Sequence, residues 1–544
     1  MGPAGARNQP PPLEGYNLYE SDPALREGIE RAGASAASRD RLRRIGALAG
    51  TAEAIAWGFQ ANAHPPVLRT HNRFGDRIDE VEFHPAWHRL LEVAVQEGMH
   101  AAPWAAGPGA DLDHLGRAAA FYLWSQVEAG VGCPVSMTYA AVPALRVEPD
   151  LAAVWEPLLT SRQYEPGLRP AGTKAGVLCG MAMTERQGGS DVRANTTVAA
   201  PSGAGDYRLT GAKWFCSAPM SDGFLVLAQA PGGLSCFLMP RVLEDGTRNA
   251  FHIQRLKDKL GNRSNASSEI ELSGAVAWRV GDEGRGVRTI IEMVNCTRLD
   301  CVIGTAALMR QAVAQATHHG AHRVAFGRRL VDHDLMRNVL ADLAIESEAA
   351  TALMLRLAQA ADAPGDEHES AIRRLGTAVG KYWVCKRGPV LVAEAVECLG
   401  GSGYVEESVL PRLYREAPLN SIWEGSGNVN ALDVLRAMER TPLALDAFFA
   451  ELDRAAGADD RLDAHVARLR KDLEGSPEEG AARRLVEAMA LALQGALLVR
   501  HAPAAVADAF SASRLGGDWG HGFGTLPPGL AVPAIVERST PNIS

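Results

Sequence analysis

The stretch Val177-Leu178-Cys179-Gly180-Met181-Ala182-Met183 begins the part of the sequence that decides the fold. Short β-type runs follow it at 206–210, 224–228, 235–239 and 269–272. Turn-forming Gly, Pro, Asn and Asp residues separate these runs, which is typical of a small all-β domain. The sequence therefore predicts a β domain over residues 176–286.

Helical patterns lie on both sides of this β domain. Before it, apolar residues recur three and four positions apart, which predicts an N-terminal helical domain over residues 16–175. After it, long amphipathic segments joined by short loops predict a helical bundle domain over residues 287–440. These segments are 287–323, 335–361, 372–399 and 429–438. The predicted fold class is α+β multidomain, with an all-β domain between two helical blocks.

The two ends of the chain differ from this central part. Residues 1–15 are polar and proline-rich, which predicts a flexible arm and shows no signal-peptide pattern. Residues 441–544 are rich in Ala and Leu and predict a separate, extra helical region. This region closes in a tail that is rich in Gly and Pro.

The bulk properties argue against several classes of protein. The 544 residues are 47% hydrophobic and 22% charged, as expected for a globular multidomain protein. The net charge of −9 argues against a surface coated for nucleic acid, although a local basic patch is compatible with it. No stretch approaches the ~18 uninterrupted apolar residues of a membrane span. The eight cysteines form no CxxC pair, so we expect no metal site, no disulfide framework and a cytoplasmic protein.

One carboxylate stands out in the second helical block. The octet Ser421-Ile422-Trp423-Glu424-Gly425-Ser426-Gly427-Asn428 places Glu424 between bulky apolar residues and a glycine. An apolar neighbour such as Trp423 would desolvate the carboxylate and raise its pKa towards the range of a general base. Gly425 would let the backbone turn sharply or lie against a flat ligand. The structural alternative is an ordinary turn at the start of a helix.

Four further segments suit a flat, phosphorylated ligand, and each has a structural alternative. They are 181–191, 211–217, 323–330 and 397–404. The first is a strand that runs into a glycine-rich turn with backbone donors, or a simple hairpin loop. The second offers an aromatic face and then a hydroxyl, or the core aromatics of a β domain. The third has guanidinium groups that suit a phosphate, and its structural alternative is a solvated helix end. The fourth has exposed backbone amides that suit a pyrophosphate, and its structural alternative is a helix C-cap.

Together the five segments resemble the acyl-CoA dehydrogenase family, in family order, over about residues 50–440. The resemblance implies an acyl-CoA dehydrogenase-like fold, with an N-terminal helical domain, a middle β-barrel and a C-terminal four-helix bundle. It also implies a homotetramer that binds FAD. Glu424 would be the catalytic base, which removes a proton alpha to a thioester carbonyl while the beta hydrogen leaves as hydride to the flavin.

The same resemblance implies a set of cofactor-binding residues. The residues within 181–190, 214–217 and 422–428 would contact the FAD of their own subunit. Arg323, Phe326 and the glycines at 400–403 would reach the FAD of a neighbouring subunit. The implied residues are Met181, Met183, Thr184, Gly189, Ser190, Trp214, Phe215, Cys216, Ser217, Arg323, Phe326, Gly400, Gly401, Gly403, Ile422, Trp423, Gly425, Ser426 and Asn428.

Within the family, the stretches 72–88 and 261–269 resemble the AidB-type DNA alkylation response proteins. The form of the octet and the extra helical region after residue 440 resemble that branch too. The resemblance implies a protein that binds double-stranded DNA, protects it or destroys alkylating agents, and has weak isovaleryl-CoA-like dehydrogenase activity. The alternative is a metabolic acyl-CoA dehydrogenase for a branched or unusual acyl-CoA, without a DNA role.

The charges of the extra region support a DNA role only in part. Residues 441–544 carry 10 basic and 14 acidic side chains, a net charge of −4 that is contrary to a simple electrostatic footprint. Arg454, Arg461 and Arg468 are seven residues apart, so one helix would bring them to one face with Lys471 beside them. That face is the predicted DNA contact, and it would position the protein without reading sequence. A solvated helix face is the alternative.

Overall fold

The computed structural model describes residues 8–105, 112–203, 205–441, 443–475 and 478–542. Its helices are α1 (Pro23–Arg31), α2 (Ala36–Ala49), α3 (Ala52–Ala63), α4 (Pro85–Gln96), α5 (His114–Ser125), α6 (Gly132–Leu145), α7 (Pro149–Leu159), α8 (Gly286–His322), α9 (Asp334–Ala361), α10 (Glu367–Cys398), α11 (Gly401–Tyr404), α12 (Leu410–Glu416), α13 (Gly427–Arg440), α14 (Ala444–Asp453), α15 (Asp460–Asp472), α16 (Ala482–His501), α17 (Ala504–Phe510) and α18 (Val532–Ser539). Its strands are β1 (Val67–His71), β2 (Arg77–Glu82), β3 (Cys179–Ala182), β4 (Val198–Pro201), β5 (Tyr207–Ser217), β6 (Gly223–Ala230), β7 (Gly233–Pro240), β8 (Phe251–Leu256), β9 (Ser267–Val280), β10 (Val324–Ala325) and β11 (Arg328–Arg329). Within these ranges no helix has the length and apolar character needed to cross a membrane.

The chain forms two compact units, each built from separate segments of sequence. The helical unit comprises Met1–Ile55, His114–Val127 and Cys301–Ser544. The β unit comprises Ala56–Asp113 and Glu128–Asp300. The predicted order of helical, β and helical segments is confirmed, but the compact units cut across the linear domain boundaries predicted from the sequence.

The core of the β unit is a closed ring of strands. β6 pairs with β7, β7 with β9, β9 with β5, β5 with β4, and β4 returns to β6. β3 adds to β6 in parallel, and β8 adds to β9 in antiparallel orientation. Closure pairs each of the five ring strands on both sides, which makes this the predicted middle β-barrel. Buried Phe224, Phe237, Phe251 and Ile270 are among the side chains that fill its interior.

A hairpin corrects the purely helical prediction for residues 16–175. β1 and β2 pair in antiparallel orientation around a turn that begins at Asn72. The Asn72 side-chain oxygen accepts hydrogen bonds from the backbone N–H groups of Phe74 at 2.8 Å and Asp76 at 3.0 Å, and Gly75 has φ 87°. A turn of this kind, with a glycine in the left-handed region, reverses the chain between strands.

The stretch that resembles the AidB branch at 72–88 attaches this hairpin to the barrel. Asp79 forms an ion pair with Arg77 at 2.7 Å and accepts from the backbone N–H of Ile253 on β8 at 3.2 Å. The buried Arg241 guanidinium donates to the Asp79 carbonyl at 3.0 Å and stacks over the Phe251 ring at 3.9 Å. These residues therefore hold β2 against the barrel.

Long helices form the core of the helical unit. α9 and α10 approach closely at one glycine, because a Cβ added to Gly376 would lie 2.6 Å from Leu357 Cδ2. α10 begins five residues before the predicted segment, because Asp366 caps it by accepting from the N–H groups of His368 at 2.8 Å and Glu369 at 3.1 Å. A polar first turn of this kind is invisible to a search for apolar periodicity.

The predicted flexible arm is fixed over its described part. Residues 1–7 lie outside the described residues. Asn8 exchanges hydrogen bonds with the backbone of Val324, at 2.6 Å to the carbonyl and 2.9 Å from the N–H. The Pro11 carbonyl contacts His318 Nε2 at 2.8 Å, and Leu13 is buried. Residues 8–15 have neither helix nor strand, but they are bound to the end of α8 and are not free.

The extra helical region is part of the helical unit and is not separate from the bundle, which corrects the prediction for 441–544. α16 packs on α9 and α10, and α18 packs on α9. Arg538 on α18 forms ion pairs with Glu348 of α9 at 2.9 Å and with Glu27 of α1 at 2.7 Å. The C-terminal helices therefore contribute to the core of the unit.

A buried ionic cluster fastens the tail to α9. Arg514, within a single π-helical turn at Ser511–Leu515, lies 2.5 Å from Asp342 and 3.0 Å from Glu346, and all three are buried. The Arg514 guanidinium also stacks on the Trp519 ring at 4.2 Å. Separating buried charges of this kind leaves carboxylates without compensation, which is strongly destabilising.

We expect Arg514→Met to lower the free energy of unfolding by about 3–5 kcal/mol, because it leaves the Asp342 carboxylate buried without its cation. Urea unfolding followed by circular dichroism measures the change. Arg484→Met, at an exposed position on α16, is the matched control and should leave the transition unchanged. Equal stability of the Arg514 variant and the control would contradict the role of the cluster.

Candidate active site

The octet at 421–428 forms a strained turn just before α13. Glu424 has φ 57° and Gly425 has φ 93°, so two successive residues occupy the left-handed region. Glycine adopts this conformation freely, whereas a glutamate there costs on the order of 1 kcal/mol or more. Strain of this kind clusters at active sites, where neighbouring contacts hold it in place. The backbone therefore marks Glu424 as a candidate functional residue.

A buried lysine holds the strained turn. Lys381 on α10 is 1% exposed, and its Nζ donates to the carbonyl oxygens of Trp423 and Gly425, each at 2.7 Å. Asn430 on α13 donates from Nδ2 to the same Gly425 carbonyl at 2.5 Å. Side chains from two helices thus fix the carbonyls on either side of Glu424. Neither Lys381 nor Asn430 is among the residues predicted from the sequence; the signal for Lys381 is a lysine inside an apolar helical run.

The other members of the octet are accessible to a ligand. Ile422 is exposed, and the half-buried Trp423 donates from Nε1 to Asn420 at 2.9 Å. Ser426 precedes α13 and Asn428 lies in its first turn, and both side chains are exposed. The N–H groups of a first helical turn have no partner within the helix, so they suit an anion.

The predicted contact at Arg323 and Phe326 lies on an exposed hairpin. α8 ends at His322, so Arg323 lies in the connection, where it donates to the Asn8 carbonyl. Phe326 and Gly327 join β10 to β11 with φ 51° and 83°, as in a two-residue type I′ turn. The Phe326 side chain is 98% exposed.

The glycine-rich segment follows the end of α10. Gly400 has φ 60°, and Gly401 and Gly403 belong to the short helix α11. A Cβ on Gly403 would lie 2.3 Å from the Val396 carbonyl oxygen, so only glycine fits there. Tyr404, which follows, is 82% exposed.

In the β unit, a buried ion pair organises the loop at 183–191. Lys213 Nζ lies 2.8 Å from Glu185 and also donates to the Leu227 carbonyl at 2.7 Å. The Glu185 carboxylate accepts from the N–H and hydroxyl groups of both Thr196 and Thr197. Burial alone would raise the pKa of Glu185, but the hydrogen bonds from Lys213 and the threonines lower that pKa to about 2. Burial lowers the pKa of Lys213.

The same loop joins the aromatic segment of β5. The Trp214 N–H donates to the Thr184 carbonyl at 2.8 Å. The pairing of β5 with β9 shifts between residues 213 and 216, and a bulge of this kind re-aims the side chains that it contains. Phe215 is 49% exposed, and Lys257 Nζ lies 3.6 Å from the centre of the Trp214 ring and 4.6 Å from that of Phe215. The result is an aromatic surface beside a cation.

The remaining predicted residues of this segment differ in exposure. Cys216 is fully buried in the barrel core, where burial raises the pKa of its thiol to about 12. Its side chain is therefore not exposed at the surface, and the predicted cofactor contact of Cys216 stays a prediction. Ser217 is half-buried, with its Oγ 3.3 Å from Ser267 Oγ. Met181, Met183 and Thr184 are half-buried, while Gly189 and Ser190 are exposed.

The predicted basic stripe does not lie on one helix. Arg454 follows the end of α14, whereas Arg461, Arg468 and Lys471 belong to α15. Gly457, with φ 77°, turns the chain between the two helices. The prediction that seven-residue spacing places Arg454 with the other arginines is therefore wrong, because the helix is interrupted.

Most of the stripe is also occupied by contacts within the chain. Arg454 lies 3.1 Å from Glu451. Arg461 forms ion pairs with Asp459 at 2.7 Å and Asp508 at 2.8 Å. The exposed Arg468 reaches the Leu515 carbonyl at 3.4 Å, and Lys471 is exposed. Two of the four predicted DNA contacts, Arg454 and Arg461, thus have carboxylate partners.

Three family models match successive parts of the chain. The Adaptive response protein AidB N-terminal domain matches residues 8–166, the acyl-CoA dehydrogenase middle domain matches 180–275, and the acyl-CoA dehydrogenase C-terminal domain matches 284–439. AidB of Escherichia coli (strain K12) is 47% identical over 506 residues, which is 92% of this chain and 93% of that protein. The chain belongs to the acyl-CoA dehydrogenase family, in its AidB branch.

Two solved structures are similar to this chain over most of its length. Caenorhabditis elegans ACDH-11 in complex with C11-CoA matches with a TM-score of 0.84 at 27% identity, over 99% of this chain and 93% of that chain. The apo form of Bd2924 matches with a TM-score of 0.82 at 30% identity, over 91% of this chain and 99% of that chain. The chain is an acyl-CoA dehydrogenase-type enzyme, and FAD is the usual cofactor of its family.

We expect acid to weaken the β unit through Glu185. Its carboxyl has a pKa of about 2 when folded against 4.5 ordinarily, so the stabilisation is complete above pH 4.5 and is lost as the pH falls towards 2. Urea unfolding between pH 2 and 6 measures this slope, which Glu185→Gln should flatten. Glu271→Gln, at an exposed position on β9, is the control and should keep the wild-type slope. A wild-type slope in Glu185→Gln would contradict the assignment.

Proposed function

We propose that this chain oxidises acyl-CoA thioesters, with Glu424 as the base that removes the proton alpha to the thioester carbonyl. The observation that carries this proposal is the left-handed Glu424, whose flanking carbonyls are held by Lys381 and Asn430. A carbon acid is weak, so its base must be placed before the reaction begins. Half-buried Trp423 beside it adds apolar surface, which disfavours the charged form of a carboxylate.

The β unit provides groups that fit a flavin. Trp214 and Phe215 offer aromatic faces for the isoalloxazine ring, and Ser217 offers a hydroxyl beside them. The loop that Glu185 fixes offers backbone donors. Gly189 lies close to Thr184 in this loop, because a Cβ on Gly189 would lie 2.5 Å from Thr184 Oγ1. When bound, FAD accepts the two electrons that leave with the beta hydrogen. The residues of this chain would bind and orient the flavin and the acyl-CoA, and Glu424 would take the alpha proton.

The proposal includes a homotetramer, in which Arg323, Phe326 and the glycines at 400–403 contact the FAD of a neighbouring subunit. Its support is the exposure of two large side chains, Phe326 at 98% and Tyr404 at 82%. Aromatic side chains are enriched at protein–protein interfaces relative to the rest of the surface.

The proposed substrate class is acyl-CoA, and the finer proposal is a weak activity on branched thioesters such as isovaleryl-CoA. Its support is membership of the family, together with the C11-CoA bound by the related ACDH-11. We also propose a cytoplasmic location, because all eight cysteines are buried thiols, as in proteins of a reducing compartment.

We expect Glu424→Gln to keep the yellow colour of bound FAD but to lose bleaching by acyl-CoA, because glutamine cannot accept the alpha proton. Absorbance near the flavin maximum, followed after mixing with isovaleryl-CoA, should show a rate at least a hundred-fold lower. Glu439→Gln, an exposed carboxylate at the end of α13, is the control and should bleach normally. Equal bleaching in the two variants would show that Glu424 is not the base.

We further propose a role in the adaptive response to DNA alkylation, in which the protein binds double-stranded DNA and protects it or destroys alkylating agents. Its support is the match of residues 8–166 to the Adaptive response protein AidB N-terminal domain. The ion pairs of Arg461 and the net charge of the C-terminal region favour the alternative, a metabolic enzyme without a DNA role. The exposed Arg468 and Lys471 on α15 are the remaining phosphate contacts in the predicted stripe.

We expect duplex DNA to bind at low salt, and the double variant Arg468→Glu with Lys471→Glu to bind about ten-fold or more weakly. Each lost phosphate contact should reduce the slope of log affinity against log salt by about 1. Filter retention of a labelled duplex between 25 and about 200 mM salt measures both effects. Reversal of two exposed arginines of the β unit, Arg89 and Arg208, is the charge-matched control. Absent retention at low salt would remove the DNA role.

A further inference from the structure

The β unit contains a surface cavity of about 100 Å³ between β2, α4 and the chain that connects α7 to β3. Apolar side chains form part of its wall, among them Phe83, Val95 and Leu178. A cavity of ~150 Å³ accommodates benzene, so this one suits a ligand of about four to six non-hydrogen atoms. The cavity lies before the start of β3, whereas the loop at 183–191 that is proposed for the flavin follows the end of that strand.

The charges around the cavity are compensated within the chain. Each carboxylate among the described residues of its wall has a cation as its partner. The pairs are Asp222 with Lys174, Glu165 with Arg169, Asp79 with Arg77, and Glu80 with Arg248. Lys174 and Asp222 are both buried, with Nζ 2.6 Å from Oδ1. An ion of either sign would lose water on entering without gaining a counter-charge, so the wall favours a neutral ligand.

A tyrosine and a histidine supply neutral polar groups to the same wall. His88 Nδ1 on α4 lies 2.6 Å from the hydroxyl oxygen of Tyr164. Burial raises the pKa of Tyr164, and the Asp222 carboxylate raises it further, so the hydroxyl keeps its proton. Burial lowers the pKa of His88, so the ring is neutral at neutral pH. Within the described part of the chain, His88 Nε2 has no hydrogen-bond partner.

This pair retains hydrogen-bonding capacity in either tautomer. If the Tyr164 hydroxyl donates to Nδ1, Nε2 of His88 carries a proton and the hydroxyl oxygen can still accept. If Nδ1 donates instead, Nε2 accepts and the hydroxyl donates. In both cases one donor and one acceptor remain beside the apolar wall.

We propose that the cavity is a binding site for a small neutral molecule that has a short apolar body and one hydroxyl or amide group. A hydroxyl or an amide donates one hydrogen bond and accepts another, which matches the pair of His88 and Tyr164. Phe83, Val95 and Leu178 would cover the apolar body. The site requires neither FAD nor Glu424, so it goes beyond the proposed dehydrogenase reaction.

The test uses four probes that share an isopropyl group and differ in their polar group: isobutanol, isobutyramide, isobutyrate and isobutylamine. Ligands of this size bind in the millimolar range, because each non-hydrogen atom contributes roughly 0.3–1.5 kcal/mol. Saturation-transfer NMR on the full-length protein measures such affinities. The two neutral probes should bind, and the anion and the cation should bind at least about ten-fold more weakly. Absent binding of the neutral probes, or equal binding of a charged probe, would overturn the proposal.

Two variants assign the signal to this cavity. Tyr164→Phe should weaken both neutral probes about five-fold, which is the loss of one neutral hydrogen bond, and Val95→Phe should abolish their binding by filling the cavity. Tyr414→Phe and Val154→Phe, at exposed positions, are the matched controls and should bind as wild type does.

Tyr164→Phe removes a single oxygen atom, so it decides the outcome even if Val95→Phe does not fold. Binding of the neutral probes that Tyr164→Phe leaves unchanged would come from another site and would overturn the proposal. Flavin bleaching by acyl-CoA, followed in parallel, reports on the proposed function separately, because the probes need no flavin. Probe binding without bleaching would therefore keep this site and reject the dehydrogenase function.

Discussion

The ammonium group of Lys381 is the constraint on which the proposed chemistry depends. A buried cation needs acceptors, and a turn with two left-handed residues leaves carbonyls that cannot join a regular helix. Both requirements are met together, because Lys381 donates to the carbonyls on both sides of Glu424. The free energy gained from these hydrogen bonds offsets the strain at Glu424. The position of the Glu424 carboxylate is therefore set by Lys381 on α10, which is 42 and 44 residues away in sequence from the two carbonyls that it holds.

A second buried lysine performs a comparable task in the β unit. Lys213 reaches from β5 to Glu185 and so fixes the loop that precedes the exposed Gly189 and Ser190. In both units a charged group inside the core holds an irregular backbone segment that faces a proposed ligand. Such an arrangement gives rigidity at the loop without requiring regular secondary structure there. Each lysine thus keeps a binding segment rigid, although that segment has no regular secondary structure.

The sequence predicted what is local and missed what is distant. The barrel runs, the long helices and the octet around Glu424 have their signals within a few residues, and they lie where predicted. Lys381 was missed, because its partners, the Trp423 and Gly425 carbonyls, lie 42 and 44 residues away in sequence and no spacing reveals them. The spacing did not reveal that Phe215 is exposed while Cys216 stays in the core, because the pairing of β5 with β9 shifts between residues 213 and 216. The basic stripe failed at Arg454, where a turn at Gly457 breaks the helical register.

The discontinuous helical unit has a consequence for synthesis on the ribosome. α1 packs on α9, which begins at Asp334, so about 300 residues must be translated between these two helices. At roughly 5–20 residues per second, the apolar face of α1 around Leu25 waits for tens of seconds before α9 emerges. Apolar surface that is exposed during synthesis in this way favours aggregation or binding by a chaperone. For the same reason, overproduction at lower temperature should favour the folded protein over its aggregates.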